Sequence, residues 1–302
     1  MAKFSVIIPN YNHAEFLNQR IESVLNQTHK DFEIIILDDC SNDNSRIIIE
    51  TYRTHPQIQH IVYNQENSGN TFHQWAKGIA LATSEYIWIA ESDDYIENSF
   101  LEEADRCFEE NKKVGLFRCG TSLVNERGET LYVIEKEGES KIIEGKSFLF
   151  NEMTITNSLC NASAIVFAKK YVELPLKMDI LSMRYCGDWL FWSKILLQSD
   201  IFLFNKNLNY FRRHYNSVSQ KANAIGLTHT EGIKVYDFIT KHLTKNSTLS
   251  FINKDRDWAK SLLKMPYNYK LIIKVLYSTM KIKPYIIPFF IFYKLKKSCF
   301  NK

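Results

Sequence analysis

The chain has 302 residues, 45% apolar and 24% charged, with 10 glycines and 6 prolines. This is a globular composition, long enough for one large domain with a filled core, and it excludes a disordered or fibrous chain. The formal charge of +4 is unevenly placed: ten lysines and no acid follow Asp257, and residues 1–257 sum to −6, so the main body offers nothing to nucleic acid.

Residues 4–8 are a short β-branched run stopped by Pro9 and Asn10, the pattern of a buried parallel strand. Apolar residues at 14, 17, 21, 24 and 25 predict a helix over 14–26. A second buried strand covers 32–37, a helix 45–54, a third strand 58–63, a loop 64–69, a helix 70–82 and a fourth strand 86–90. Four rounds of strand and helix in about a hundred residues predict a doubly wound α/β sheet. A helix over 98–111, a strand over 114–119 and a hairpin turning at 125–128 come next. Residues 138–162 read as loop and short helix, and 164–167 as a strand. An amphipathic helix over 187–198 carries Asp188 in its first turn. Two short strands, 202–204 and 208–212, pair or lie near each other, and 223–265 is helical. The six cysteines (40, 107, 119, 160, 186, 299) form no C-x-x-C pair and read as reduced thiols of a cytoplasmic protein. Pro9 breaks the first apolar run too early for a secretory signal.

In such sheets ligands sit at the carboxyl ends of the strands. The polar clusters fall there: residues 9–12, 38–43, 64–70 and 91–94. The last follows the fourth strand and holds Glu91, Asp93 and Asp94. Acids this close repel one another and are costly to desolvate. With few His or Cys neighbours they suit a hard cation, Mg²⁺ or Mn²⁺. The same acids also suit a turn leading into a helix near residue 100. Four polar turns converging on one edge favour a ligand site. There is no P-loop and no G-x-G-x-x-G, so a phosphorylated ligand depends on a metal for much of its neutralisation.

An ordered set of motifs gives a more specific reading. Residues 5–12 (SVIIPNYN), 37–45 (LDDCSNDNS), Asn67-x-Gly69, Ser92-Asp93-Asp94, Gly187-Asp188, and Arg213-His214 with Ser217 and Ser219 follow one another in sequence. Over roughly residues 3–220 the chain resembles the family 2 glycosyltransferases, inverting bacterial enzymes with the GT-A (nucleotide-diphospho-sugar transferase) fold. The resemblance implies a catalytic domain over 1–220, divided into a nucleotide-binding half (1–97) and an acceptor-binding half (98–220), and a helical extension over 221–302. It implies that Pro9, Tyr11 and Asp39 surround the nucleotide base, with Asn67 nearby. Asp39 then accepts from a uracil-type imide N–H, a job for an acceptor-only carboxylate. Asp93 and Asp94 would hold the ribose and a Mn²⁺ or Mg²⁺ ion on the diphosphate, with His214 near the metal. Asp188 would be the general base. Lys77 would offer phosphate a cation, or be a solvated helix lysine. Trp189 and Trp192 read as core packing or as a platform for the acceptor.

The pattern is broken in places. The usual D-x-D-D is Glu91-Ser92-Asp93-Asp94, and Glu is one methylene longer. The usual Arg-Asn-x-Gly reads Trp75-Ala76-Lys77-Gly78. A Q-x-x-R-W motif is absent, which favours transfer of one sugar over polymerisation. The expected partners are a nucleotide-sugar donor, a UDP-sugar by the family pattern, and a saccharide or lipid-linked acceptor for cell-surface polysaccharide or lipopolysaccharide. The alternatives are a sugar nucleotidyltransferase, which the glycine-free loop at 9–13 disfavours, and a non-catalytic binding protein of the same fold. The tail joins an apolar run at 285–293, too short to span a bilayer, to Lys294, Lys296 and Lys297. It suits peripheral contact with the inner face of the cytoplasmic membrane, or a helix packed on the domain with its lysines in water.

Overall fold

The computed structural model describes residues 1–134, 138–159, 161–213, 225–243, 248–265 and 268–300. The first half alternates as the sequence predicts: β1 (Phe4–Asn10), α1 (Ala14–Leu25), β2 (Phe32–Asp38), α2 (Ser45–Thr51), β3 (Ile58–Tyr63), α3 (Thr71–Leu81) and β4 (Tyr86–Ile89). A two-residue strand, β5 (Tyr95–Ile96), follows the acidic turn and leads into α4 (Phe100–Glu110). Then come β6 (Val114–Val124), β7 (Thr130–Val133), β8 (Lys141–Ile143), α5 (Gly145–Glu152), β9 (Ile165–Ala168), α6 (Met178–Leu181), α7 (Gly187–Leu196) and β10 (Asp200–Arg212). The chain closes with α8 (Leu227–Leu243), α9 (Thr248–Leu262), α10 (Tyr269–Ile282) and α11 (Ile286–Phe300).

The strands form one sheet in the order β3-β2-β1-β4-β9-β6-β10-β5, with β7 beside β6 and β8 beside β10. Strands β3, β2, β1 and β4 are parallel, as are β6 and β10, and β9 joins the two groups antiparallel to both neighbours. This is the expected doubly wound, mostly parallel sheet. Side chains alternate across it with period two. Phe4, Val6, Ile8, Ile34 and Ile36 face a core shared with α1, α2 and α4. Ile7, Ile35 and Leu37 face the other core, shared with α3, α5 and α7. Both faces are covered, which is why the strands read as unbroken apolar runs. Helix α3 lies close on β1 because it has Gly78 there. A Cβ on Gly78 would stand 2.4 Å from the Ile7 Cγ2.

The segment expected as two strands, 202–204 and 208–212, is one strand. Its register against β6 shifts between Phe204 and Asn207, so Asn205 and Lys206 bulge out while pairing resumes beyond them. Bulging lets a polar break sit inside a continuous strand. Helices α8 to α11 are folded onto the same core. Ile233, Tyr236, Trp258, Val275, Ile286 and Phe290 share it with Trp189 and Trp192 of α7. The two tryptophans are fully buried, which settles them as core and not as an acceptor platform. Lys283 is buried and pairs with Asp237 at 3.4 Å. The expected boundary between 220 and 221 lies outside the described residues. Among the described residues no helix is long and apolar enough to cross a membrane.

Candidate active site

The loops after β1 and β2 are stitched together. Asn10 Nδ2 donates to Asp38 Oδ1 at 2.8 Å, Asn12 N–H to Ser41 Oγ at 2.9 Å, and Asn42 N–H to Asn12 Oδ1 at 2.8 Å. Asn12 and Cys40 have φ of 55° and 64°, strained for residues with a Cβ. Asp39, buried between these loops, collects four donors: Asn64 Nδ2, Gln74 Nε2, Ser68 N–H and Ser68 Oγ, at 2.6–3.2 Å. They match the lone-pair sites a carboxylate offers. Asn67 closes the same loop, donating to the Asp39 carbonyl at 3.0 Å and accepting from Gly69 N–H at 2.7 Å. Lys77, exposed on α3, donates to Asn64 Oδ1. Pro9 is buried inside β1, whereas Tyr11 is 45% exposed on the loop above it.

The acidic turn links β4 to β5. Its three carboxylates have separate surroundings. Glu91 is half-buried and accepts from the Trp75 indole N–H at 2.9 Å, so it leans on α3. Loss of hydration, then repulsion from Asp93, pushes it up to about 8. Asp94 is 1% exposed and gives one oxygen to Arg212 N–H and the other to Asn161 Nδ2, each at 2.9 Å. Burial and Asp93 raise its pKa as well. Asp93 is half-buried and less enclosed than Asp94, and its carbonyl accepts from Arg212 Nε at 2.9 Å. Beneath the turn lies Arg20, fully buried. Its Nε donates to the Glu91 carbonyl at 2.8 Å, and its terminal nitrogens have no hydrogen-bond partner among the described residues. His13 Nδ1 lies 2.8 Å from Ser92 Oγ.

The donors here are oxygens crowded enough to hold protons tightly, which suits Mg²⁺ or Mn²⁺. Among the described residues no group of three or more His, Cys, Asp and Glu side chains is arranged to hold a metal unaided. His214, Ser217 and Ser219 lie outside the described residues. Oxygen donors of this kind suit an ion that completes its coordination with ligand oxygens.

Asp188 opens α7. Its Oδ1 accepts from Trp189 N–H at 2.7 Å and its Oδ2 from Asn157 Nδ2 at 2.8 Å. Burial pushes it up to about 7, against those hydrogen bonds and with some help from Glu231. The turn before it is held from α8. Glu231, buried, accepts from Arg184 N–H at 3.0 Å and from Tyr185 and Cys186 N–H at 2.9 Å each. These N–H groups lie ahead of the helix, so Glu231 fixes the turn that leads into α7. Gly187 sits against the Phe72 ring, where a Cβ would come within 2.5 Å.

One segment joins the carboxylates. Asn157 binds Asp188, Asn161 binds Asp94, and Ser163 Oγ accepts from Glu91 N–H at 3.1 Å. Helix α3 joins them on the other side. Gln74 reaches Asp39, Trp75 reaches Glu91, and Asn70, ahead of the helix, donates to the Leu181 and Met183 carbonyls at 2.7 and 2.6 Å. Asp39, Glu91, Asp94 and Asp188 thus belong to one continuous hydrogen-bonded framework. Arg20, Asn157, Asn161, Arg212 and Glu231 carry it and were missed from sequence. Asn161 and Asn157 had a weak signal, polar residues interrupting an apolar stretch.

The poly(ribitol-phosphate) β-N-acetylglucosaminyltransferase TarP of Staphylococcus aureus is 30% identical over 220 residues, covering 70% of this chain and 62% of its own. An uncharacterized glycosyltransferase of Nostoc is 28% identical over 216 residues, covering 70% and 65%. The chain thus spans just under two thirds of the length of these curated relatives. The crystal structure of S. aureus TarS 1–349 with UDP-GlcNAc superposes with a TM-score of 0.68 at 18% identity, over 94% of this chain and 82% of that one. The mannosyltransferase PcManGT of Pyrobaculum calidifontis, solved with GDP-Man and Mn²⁺, gives 0.56 at 13% identity over 93% and 75%. These two likenesses are of fold. Residues 5–160 match the sequence family Glycosyl transferase family 2, just over half of the chain, and to that family the chain belongs.

Proposed function

We propose that the chain moves one sugar from a nucleotide-sugar, a UDP-sugar by likeness to the TarS complex, to a saccharide or lipid-linked acceptor, with inversion at the anomeric carbon. The observation that carries this is the 157–163 segment. It hydrogen-bonds Asp188, a carboxylate that burial raises to about 7, and the acidic turn, Glu91 and Asp94. An in-line displacement needs a base on the acceptor side and charge control on the leaving-group side.

Each residue then has a task. Asp188 accepts the proton of the acceptor hydroxyl as that oxygen attacks the anomeric carbon. Asn157 and the Trp189 N–H hold the carboxylate in place. Asp39 accepts the base's imide N–H once the rotatable Ser68 hydroxyl swings off Oδ2, and Tyr11 covers the base. Asn67 keeps the loop closed behind it. Lys77 lies one turn along α3 on the donor side. Asp93 faces the diphosphate, and Asp94 fixes the turn instead of reaching the ligand. Asp93 would hold a Mn²⁺ or Mg²⁺ ion there, with His214 as the further ligand that the family resemblance implies, and the ion would supply charge neutralisation on the leaving diphosphate. The product class is cell-surface polysaccharide or lipopolysaccharide, made at the inner face of the cytoplasmic membrane.

The test is a panel of nucleotide-sugars incubated with Mn²⁺, read by release of nucleoside diphosphate and by the anomeric configuration of the product. Turnover of a UDP-sugar, lost in Asp188→Asn with UDP affinity kept, is the expected result. Loss of both in Asp188→Asn makes that residue structural. No turnover and no nucleotide binding leaves a scaffold protein.

A further inference from the structure

Helices α10 and α11 are amphipathic in an unusual sense, with apolar residues on the outside as well as the inside. Helix α10 buries Leu271, Val275 and Thr279 against the core. On its opposite side Tyr269, Ile273, Tyr277 and Met280 stand in line and are 51–67% exposed. Their spacing of four, four and three residues makes one stripe on a helix. Lys270, Lys274 and Lys281 border it, all exposed. Helix α11 repeats the arrangement. Ile286 and Phe290 are buried, while Pro288, Ile291, Phe292 and Leu295 lie exposed at helical spacing, with Lys294 and Lys296 beside them.

We propose that the outer stripe of α10, Tyr269, Ile273, Tyr277 and Met280 bordered by Lys270, Lys274 and Lys281, with the exposed apolar residues of α11, docks on an anionic lipid bilayer. Apolar side chains this exposed cost solvation free energy in water, and a stripe of them is a surface built for contact. Charge selects the partner. No acid lies beyond Asp257, so the charges that α10 and α11 themselves carry are all lysine. A second copy meeting the same face across a two-fold axis would set lysines against lysines. An anionic bilayer pairs the lysines with headgroups and takes the aromatic and aliphatic side chains into the interface. Tyrosine is well placed there, with an apolar ring and a polar end. Each helix is too short to do more than lie in the surface. The core-facing sides of both helices remain packed on the domain, so docking needs no unfolding.

The inference does not depend on the sugar-transfer reading, and its test is separable from it. The full chain is sedimented with vesicles of pure phosphatidylcholine and of phosphatidylcholine mixed with phosphatidylglycerol. Binding to the mixed vesicles only, weakened by salt, is expected. The pair Lys270→Gln and Lys274→Gln should weaken it on the order of thirtyfold. The pair Ile273→Ser and Tyr277→Ser should abolish it. All four side chains are exposed, so the melting temperature and UDP binding should stay as in the parent. Equal binding to both vesicles, no binding to either, or a dimer in solution that the Ile273→Ser and Tyr277→Ser pair dissociates would each overturn the proposal.

Discussion

Burial raises Asp188 to about 7, and the Trp189 N–H and the Asn157 amide limit the rise. The proton-accepting form is therefore the minor one below that pH and the major one above it. Transfer should climb with pH through about 7 and level off, which a pH profile of kcat will show. Asp188→Asn should lose roughly 10²–10⁴ in kcat. Its melting temperature relative to the parent should rise with pH, from a baseline lowered because the Asn amide offers one acceptor to the two donors Trp189 N–H and Asn157 Nδ2. A carboxylate with a raised folded-state pKa favours folding while protonated, and that contribution is lost as pH rises through about 7. The Asn variant should therefore compare more favourably with the parent at pH ~8 than at pH ~5. Asp94 and Asp93 should separate in the same assay. Asp94→Ala strands Arg212 N–H and the Asn161 amide and should cost about 2–3 kcal/mol. Asp93→Ala removes a less enclosed side chain and should cost less than Asp94→Ala. The acids themselves were legible because they sit in short motifs at strand ends. Their supports were not. Arg20 and Glu91 are 71 residues apart, Asn161 and Asp94 67, and Glu231 and Cys186 45, so no local spacing betrays them.

The elements of the first half were legible for a different reason. Buried parallel strands are unbroken apolar runs and their helices keep a 3.6-residue period, so β1 to β4 and α1 to α3 stand where the pattern put them. The strand β10 was read as two because its bulge carries polar residues. The role of α8 was invisible as well, since nothing in a helical period says which carboxylate will reach another helix. Its Glu231 ties the turn before α7, and Glu231, Asp188 and the Cys186 thiol, itself raised by burial, face one another there. Glu231→Gln keeps the shape and removes the charge. It should lower kcat with little change in KM for the donor, and it should move the acid limb of the pH profile to lower pH, because a negative charge that opposed Asp188 ionisation has gone. A fall in kcat with the limb unmoved would mean Glu231 only shapes the turn.

At the scale of the whole molecule, the sheet brings three chain regions to one edge: the loops after β1 and β2 with Asp39, the turn after β4 with Asp93 and Asp94, and the start of α7 with Asp188. The helical extension braces the third of them through Glu231 and presents lysine-bordered apolar stripes outward. The family match covers residues 5–160, so Asp188, α8 and the outer stripes lie beyond it. The proposed function requires the edge to bind a nucleoside diphosphate through Asp93 with a divalent ion. Calorimetric titration of UDP into the full chain, with and without Mn²⁺, tests it directly. Mn²⁺-dependent binding that falls at least tenfold in Asp93→Ala, a loss of about 1.4 kcal/mol, with the fold intact, is the predicted result. Absence of UDP binding in both conditions, or binding that ignores both Mn²⁺ and Asp93→Ala, would contradict it.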